Sequence, residues 1–340
     1  MVFLGIDLHK RYSVITAMDR EGEIAEQLRM PNDELLLSTW LKGMEGEKRA
    51  VVEATSNWGW LADFLAEQEV ELILAHPLKT RAIASAKIKN DRLDSSILAH
   101  LLRTDLIAES YLAPQEVRFQ RDLLRYRAGL VRIQTGIKNR VHALLIKGNV
   151  QYDFTDLFGR AGMAFLKGLP LPEVQRMAMD SWLELLADLR ARIRAADREI
   201  ASRVKLSAEA RLLTSAPGIG NILAATIAAE TGDFARFPTA KHYCSYAGLV
   251  PSSSSSGDKM RYGHITKQGN PWLRWALVEA SWGAIKRQGP VRVYYQRISR
   301  HKKSPVAIVA VARKLAKNIY HMEMNNQTFD EVVAKHAFVG

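Results

Sequence analysis

The chain has one cysteine, Cys244, in 340 residues. A lone thiol excludes an internal disulfide framework and a cysteine-based zinc site, and this usage fits a reducing cytoplasm. Long apolar runs are also missing. None approaches the roughly 20 residues of a membrane span. The opening MVFLGIDLHK lacks the basic start and long apolar core of a signal peptide. The expectation is a cytoplasmic protein without a membrane partner. Acidic residues are scarce in one region: residues 259–320 hold 14 Lys+Arg and a single acid, Glu279.

What is present is apolar enough to build a core, at 47% hydrophobic residues, and basic, with a net charge of +12. The charge is segregated. Residues 1–110 carry 13 Lys+Arg and 18 Asp+Glu, and the remainder carries 35 and 18. Solubility alone needs no such division. An anionic partner explains it, nucleic acid first and a membrane surface second.

Residues 2–8, 12–18 and 23–29 read as three strands, with a tight turn over 19–22 between the second and third. Residues 49–53 form a fourth strand, then come a helix over 58–68, a strand over 71–75 and a helix over 92–103. This order predicts a mixed sheet with helices on its faces and resembles the ribonuclease H-like fold. From Pro114 the pattern changes. Phe119, Leu123, Tyr126, Leu130, Ile133, Ile137, Val141 and Leu144 recur at steps of three or four, and residues 115–148 hold eight Lys+Arg against two acids. A second such stripe runs from Trp182 through Leu189 and Ala196 to Val204. The pair reads as a helical hairpin or coiled coil, or as two core helices of one larger domain. A third part begins near Ser207. There Pro217-Gly218-Ile219-Gly220 opens an apolar helix, and Asn270-Pro271 and Ser304-Pro305 each start another.

Asp7 interrupts the apolar run Val2-Phe3-Leu4-Gly5-Ile6-Asp7-Leu8, and Glu53 ends Ala50-Val51-Val52-Glu53. A carboxylate in such a place is costly unless paired, hydrogen-bonded or metal-bound. Asp7 could pair with Lys10 or Arg11. Asp91 and Asp94 share one face at a helix start, where aspartates commonly serve only as caps. In a ribonuclease H-like sheet all four would converge, and mutual repulsion would call for Mg²⁺ or Mn²⁺. Two such ions can stabilise the attacking and leaving oxygens of a phosphodiester displacement.

Ser252-Ser253-Ser254-Ser255-Ser256 precedes Gly257, Gly263 and Gly269, between which lie Lys259, Arg261, His264 and Lys267. Glycines let a backbone approach phosphate, and the cations neutralise it. The stretch reads as a phosphate-facing loop or linker, or as a loop whose serine is a nucleophile. The PGIG turn, with Gly218 and Gly220, reads as a backbone phosphate cradle or an ordinary turn. Trp272, Trp275 and Trp282, at helical spacing, read as core rather than base-stacking residues.

The motifs Gly5-Ile6-Asp7-Leu8-His9-Lys10, Val52-Glu53-Ala54-Thr55-Ser56 and Lys89-Asn90-Asp91-Arg92-Leu93-Asp94 resemble the DEDD signature of one transposase group, the bridge-RNA-guided insertion-sequence family one-hundred-ten. Ala216-Pro217-Gly218-Ile219-Gly220, Tyr246-Ala247-Gly248-Leu249-Val250-Pro251, Ser255-Ser256-Gly257-Asp258-Lys259 and Gly263-His264-Ile265-Thr266-Lys267-Gln268-Gly269 extend the resemblance over nearly the whole chain. It implies a RuvC-like catalytic domain over 1–111, a basic coiled-coil connector over 112–206, and a mainly α transposase domain over 207–340 with a helix-hairpin-helix-like PGIG and a serine loop. It implies Mg²⁺ (or Mn²⁺) at Asp7, Glu53, Asp91 and Asp94, and a serine that attacks double-stranded DNA at the element ends and target. The serine before the glycine selects Ser256, with Ser255 as runner-up. A noncoding bridge RNA would specify both DNAs. A homotetramer would share each active site between the catalytic domain of one subunit and the transposase domain of another. Lys259, Arg261, His264, Lys267, Gly218 and Gly220 would contact nucleic acid. The rivals are a hydrolytic nuclease of Holliday-junction resolvase type and a non-enzymatic nucleic-acid-binding protein.

Overall fold

Along β1 (Val2–Leu8), Leu4, Ile6 and Leu8 enter one hydrophobic cluster and Phe3 enters another, so both faces of this strand are covered. That double burial explains the near-continuous apolar run. The computed structural model describes residues 1–55, 57–83, 90–204, 207–256 and 259–336, without the side chains of residues 253–262 and 336. The chain forms two compact units, Met1–Gln115 and Glu116–Gly340.

In the first unit, β2 (Tyr12–Met18), β3 (Ile24–Pro31), β4 (Lys48–Glu53), β5 (Glu71–Ala75) and β6 (Glu109–Ser110) join β1 in a six-stranded sheet of order β3-β2-β1-β4-β5-β6. β1 pairs antiparallel with β2 and parallel with β4, so the sheet is mixed. One face is packed by α1 (Glu34–Lys42) and α2 (Trp58–Glu67) through Leu37, Leu41, Leu61 and Leu65. The other face carries α4 (Asp91–Arg103), whose Leu98, Ala99 and Leu102 meet Phe3, Val51 and Ile73. A short helix, α3 (Pro77–Ile83), follows β5. α1 lacks a readable period because its leucines fall on both sides: Leu37 and Leu41 are buried, while Leu35 and Leu36 are exposed.

Gly5 determines how closely α4 approaches the sheet. A Cβ there would lie 2.0 Å from the Ser95 carbonyl oxygen and 2.5 Å from the Ala99 nitrogen. A polar seam flanks this contact. Thr16 Oγ1 bonds Ser95 Oγ at 2.8 Å, and Gln27 Nε2 donates to Thr16 Oγ1 and to the Arg92 carbonyl, both at 2.8 Å.

The second unit opens with two long helices, α5 (Gln115–Lys147) and α7 (Glu173–Arg203), with α6 (Arg160–Gly168) between them. Leu130, Ile137, Val141 and Leu145 of α5 pack with Met179, Leu183, Leu186 and Leu189 of α7. Arg127 near the start of α5 pairs with Asp197 near the end of α7 at 2.8 Å, so the helices run antiparallel. The predicted α5 stripe is split: Phe119, Tyr126 and Ile133 are exposed. α8 (Ala208–Leu213), α9 (Asn221–Thr231), α10 (Ala240–Tyr246), α11 (Pro271–Ala284), α12 (Pro290–Ser299), α13 (Ser304–Asn325) and α14 (Phe329–His336) complete the helices. α8 to α11, α13 and α14 build one core with Val291 of α12, around Tyr243, Leu273, Leu277 and Leu315. No helix among the described residues is long and apolar enough to cross a membrane.

Glu230 of α9, only 1% exposed, anchors three elements. Arg125 of α5 grips both its carboxylate oxygens at 2.7 and 2.8 Å, and Asn270, the N-cap of α11, donates to it at 2.8 Å. Such a buried charge is tolerable because every oxygen has a partner. Cys244 is fully buried, its Sγ donating to the Arg313 carbonyl at 3.6 Å, and burial pushes its thiol up to about 11.

Burial, with Glu209 nearby, also raises the Glu323 carboxyl to about 8. The folded state then holds a proton that the unfolded chain releases above its ordinary carboxyl value. Its contribution is complete below about pH 4.5 and is lost as pH rises toward 8, with a slope of at most about 1.4 kcal/mol per pH unit. Glu323→Gln should therefore gain stability over the native chain progressively from about pH 5 to about pH 8 in urea unfolding. A stability difference independent of pH contradicts this assignment.

Candidate active site

The register of β1 and β4 pairs Ile6 with Val52, which puts Asp7 and Glu53 at the next adjacent positions of two parallel strands. Alternation places Asp7 on the same face as Phe3 and Gly5, and Glu53 on the same face as Val51. That is the face α4 covers. Asp91 is the first residue of α4 and Asp94 lies one turn further on. The capping bond of this helix belongs to Asn90, whose side chain accepts from the Arg92 N–H at 3.1 Å. Asp91 and Asp94 are thus not needed as caps.

One side chain outside the predicted set joins the acids. His9 Nε2 lies 3.1 Å from Asp7 Oδ2 and 3.3 Å from Asp91 Oδ2. The three residues can offer ligand atoms all within 4.8 Å of one another. Asp7 therefore pairs with His9, not with the Lys10 or Arg11 that the sequence suggested. Several contacts fix this corner. Tyr12 donates its hydroxyl to Asp91 at 3.2 Å and stacks on the His9 ring at 4.5 Å, and the Arg29 guanidinium lies 3.7 Å over the other aromatic centre, Tyr12. Asn32 and Asn57 both donate to the His9 carbonyl, at 2.8 and 3.2 Å. The sequence signals for His9 were its place in the Gly5–Lys10 motif and its position two residues after Asp7, just past the strand end.

Asp7 is held above its ordinary carboxyl value, first by burial and then by the charges of Asp91 and Asp94, with His9 opposing. These carboxylates repel one another without a cation between them. Two carboxylates and an imidazole suit a divalent ion: carboxylate oxygens take Mg²⁺ or Mn²⁺, and imidazole favours transition metals such as Mn²⁺ over Mg²⁺. The donor set therefore fits a divalent cation at Asp7, Asp91 and His9, with Asp94 close enough to act on Asp7 through its charge.

The second unit carries the remaining predicted residues. The serine stretch is not a loop. β7 (Pro251–Ser256) and β8 (Lys259–Ile265) form an antiparallel hairpin in which Ser255 pairs with Met260 and Ser256 with Lys259. A serine run carries no apolar alternation, so only the backbone ladder marks it as a strand. The side chains of Ser255, Ser256, Lys259 and Arg261, all of Gly257 and the motif residues Ser56 and Lys89 lie outside the described residues. His264 is exposed at the end of β8, its carbonyl accepting from Ser252 Oγ at 3.1 Å. Lys267 follows with φ +54°, its carbonyl accepting from Arg274 at 3.2 Å. Gly218 has φ +82°, and a Cβ there would lie 2.1 Å from the Ala280 carbonyl, so packing on α11 already requires glycine. Gly220 is the N-cap of α9, open to within 4 Å of an added Cβ. Of the three tryptophans, Trp275 packs against the core, whereas Trp282 is 37% exposed beside Tyr295.

Titrating Mn²⁺ into the protein and following free Mn²⁺ by electron paramagnetic resonance tests the cluster. Asp7→Asn should weaken binding by about tenfold or more, the scale on which a lost charged ligand acts. Gly5→Ala should also weaken it, by displacing the helix that carries Asp91, and should lower stability by about 1–3 kcal/mol. Unchanged Mn²⁺ affinity in both variants would exclude this corner as the cation site.

Comparison with known proteins gives the family. Residues 4–148 match the IS110 DEDD transposase family, and residues 210–296 match the family described as Transposase IS116/IS110/IS902. A probable family 20 transposase of Pseudomonas aeruginosa is 30% identical over 58% of this chain and 60% of its own length. A putative transposase of Sinorhizobium fredii is 26% identical over 92% of this chain and 86% of its own. The transposase for insertion sequence element IS1328 of Yersinia enterocolitica is 24% identical over 93% and 95%. By both family matches and by the names of these relatives, the chain belongs to the IS110/IS116/IS902 family of DEDD transposases.

Proposed function

We propose that this protein is the transposase of an insertion sequence, a DNA recombinase that cuts and rejoins DNA through a serine. The observation that carries the reading is the meeting of Asp7 and Asp91 beside His9 at the end of β1, on the sheet face shared with Glu53. The strand order β3-β2-β1-β4-β5 supports a ribonuclease H-like catalytic domain over 1–111. The antiparallel pair α5 and α7 supports a coiled-coil connector over 112–206, followed by a transposase domain over 207–340.

In this reading Asp7, Glu53, Asp91 and Asp94 hold Mg²⁺ or Mn²⁺, and His9 completes the donor set. A bound divalent ion supplies charge stabilisation at the phosphodiester. Tyr12 orients Asp91 through its hydroxyl, and the two asparagines on the His9 carbonyl keep the strand end in place. The Ser256 hydroxyl oxygen attacks phosphorus. The Oγ–P bond forms, one P–O bond to a deoxyribose oxygen breaks, and the serine proton ends on that departing oxygen. The covalent serine–DNA ester keeps the bond energy, so a deoxyribose hydroxyl of another strand can reverse the step without ATP. Lys259, Arg261, His264, Lys267, Gly218 and Gly220 contact nucleic-acid backbone. A noncoding bridge RNA selects donor and target by base pairing, and a tetramer supplies the carboxylates of one subunit to Ser256 of another.

The test incubates the protein with element-end DNA, the flanking noncoding RNA and Mg²⁺, then denatures the mixture. A protein–DNA adduct should form, and should be lost in Ser256→Ala and in Asp7→Ala. The nucleophile in this reading is the serine directly before Gly257, so Ser255→Ala should retain the adduct. DNA cleavage that survives Ser256→Ala assigns the carboxylates to a hydrolytic nuclease instead.

A further inference from the structure

A groove of about 650 Å³ runs along α13, wholly within the second unit. One wall is a single helical face, in which Val306, Val309 and Ala310 are followed by Arg313, Lys314 and Lys317. The steps of three and four keep these side chains in line. The groove is therefore apolar at one end and cationic at the other. The shift from apolar to cationic takes one helical turn, about 5 Å along the axis, which is of the order of a nucleotide's own length. The rest of the lining comes from Leu249, Pro251, Ile265, His264 and Lys267, and from Tyr294 of α12.

Arg313 Nε is buried without a hydrogen-bond partner among the described residues, which is costly for a charged donor. The Lys314 ammonium is held below its ordinary value by burial and by the charges of Lys317 and Arg297. A phosphate would relieve both. Duplex phosphates need cations alone, however, and would leave the apolar half empty. An unstacked nucleotide uses both ends, with its base among the valines and beside an aromatic ring and its phosphate on the cations. The size suits such an occupant.

The geometry points to this groove as the receptor for one unstacked nucleotide of a DNA strand, base against Val309, Ala310 and Tyr294, phosphate on Arg313 and Lys317. The inference rests on the reading of the chain as a DNA transposase. Gly263, His264 and Ile265 of β8 form part of the groove, so a captured nucleotide would hold its strand against the hairpin that bears Ser256.

Fluorescence anisotropy with a labelled single strand of about 16 nucleotides, its duplex and the same sequence as RNA tests this in EDTA, where no chemistry is needed. Ala310→Trp fills the apolar end. It should weaken single-stranded DNA binding about tenfold and leave duplex binding within about twofold, at an unchanged unfolding temperature. Val306→Trp, at a more exposed position, serves if the first variant does not fold. Arg313→Gln with Lys317→Gln should weaken the single strand and lower the salt slope by about one to two. Equal losses for single strand and duplex, or none for either, overturn the inference. So does a loss confined to RNA. So does thymidine monophosphate that binds the native groove but not the Trp-filled one while strand affinity stays the same. An absent serine adduct with groove-dependent strand binding removes the catalytic reading and keeps this one; the reverse result does the opposite.

Discussion

The closeness of α4 to β1 over Gly5 governs the acidic corner. With no Cβ between them, the Ser95 carbonyl and the Ala99 backbone settle directly on the strand. The helix start is thereby brought to the strand end, and Asp91 arrives beside Asp7. The neighbouring contacts serve the same approach. Ser95, Thr16 and Ala99 are small, and Gln27 closes the polar seam by bonding Thr16 and the Arg92 carbonyl. Interiors transmit such displacements because they are close-packed. A methyl group at the seat is therefore felt at the carboxylates.

The two units meet the problem of buried charge differently. Among the described residues, Asp7 and Asp91 are drawn together with His9 and Tyr12 as their partners, and Asp7 shows the strain as a raised carboxyl value. Glu230 is buried more deeply but is gripped by Arg125 and Asn270 on both oxygens. The first arrangement leaves capacity for a cation; the second leaves none and acts as a structural tie. Burial of a carboxylate alone does not mark function.

Much of the first unit was legible because its strands bury both faces, so apolar runs stood out and the acids within them were conspicuous. Asp7 and Glu53 were singled out as candidates in that way, and Asp91 with Asp94 through their shared helix face; of these, Asp7 and Asp91 meet beside His9. His9 and its supports Tyr12, Arg29, Asn32 and Asn57 were not legible, since they meet only after β1, β2 and β3 have paired and α2 has docked. The second unit was harder to read. A 3.6-residue period tells which residues share a stripe, not which side of the stripe a partner covers. Phe119, Tyr126 and Ile133 remain exposed although they continue the buried pattern of Leu130 and Ile137. The hairpin escaped notice because five serines give a strand no apolar alternation.

The burial of Cys244 has a practical consequence. Its thiol is out of reach of solvent, weakly acidic and hydrogen-bonded to α13. Thiolate, not thiol, reacts with maleimides and disulfides, so the native chain is nearly inert to them. A cysteine introduced on any exposed surface becomes the single reactive handle, with no background to remove. Pairs of such handles, one in each unit, would let spin or fluorescent labels report distances between the units while the native thiol stays silent.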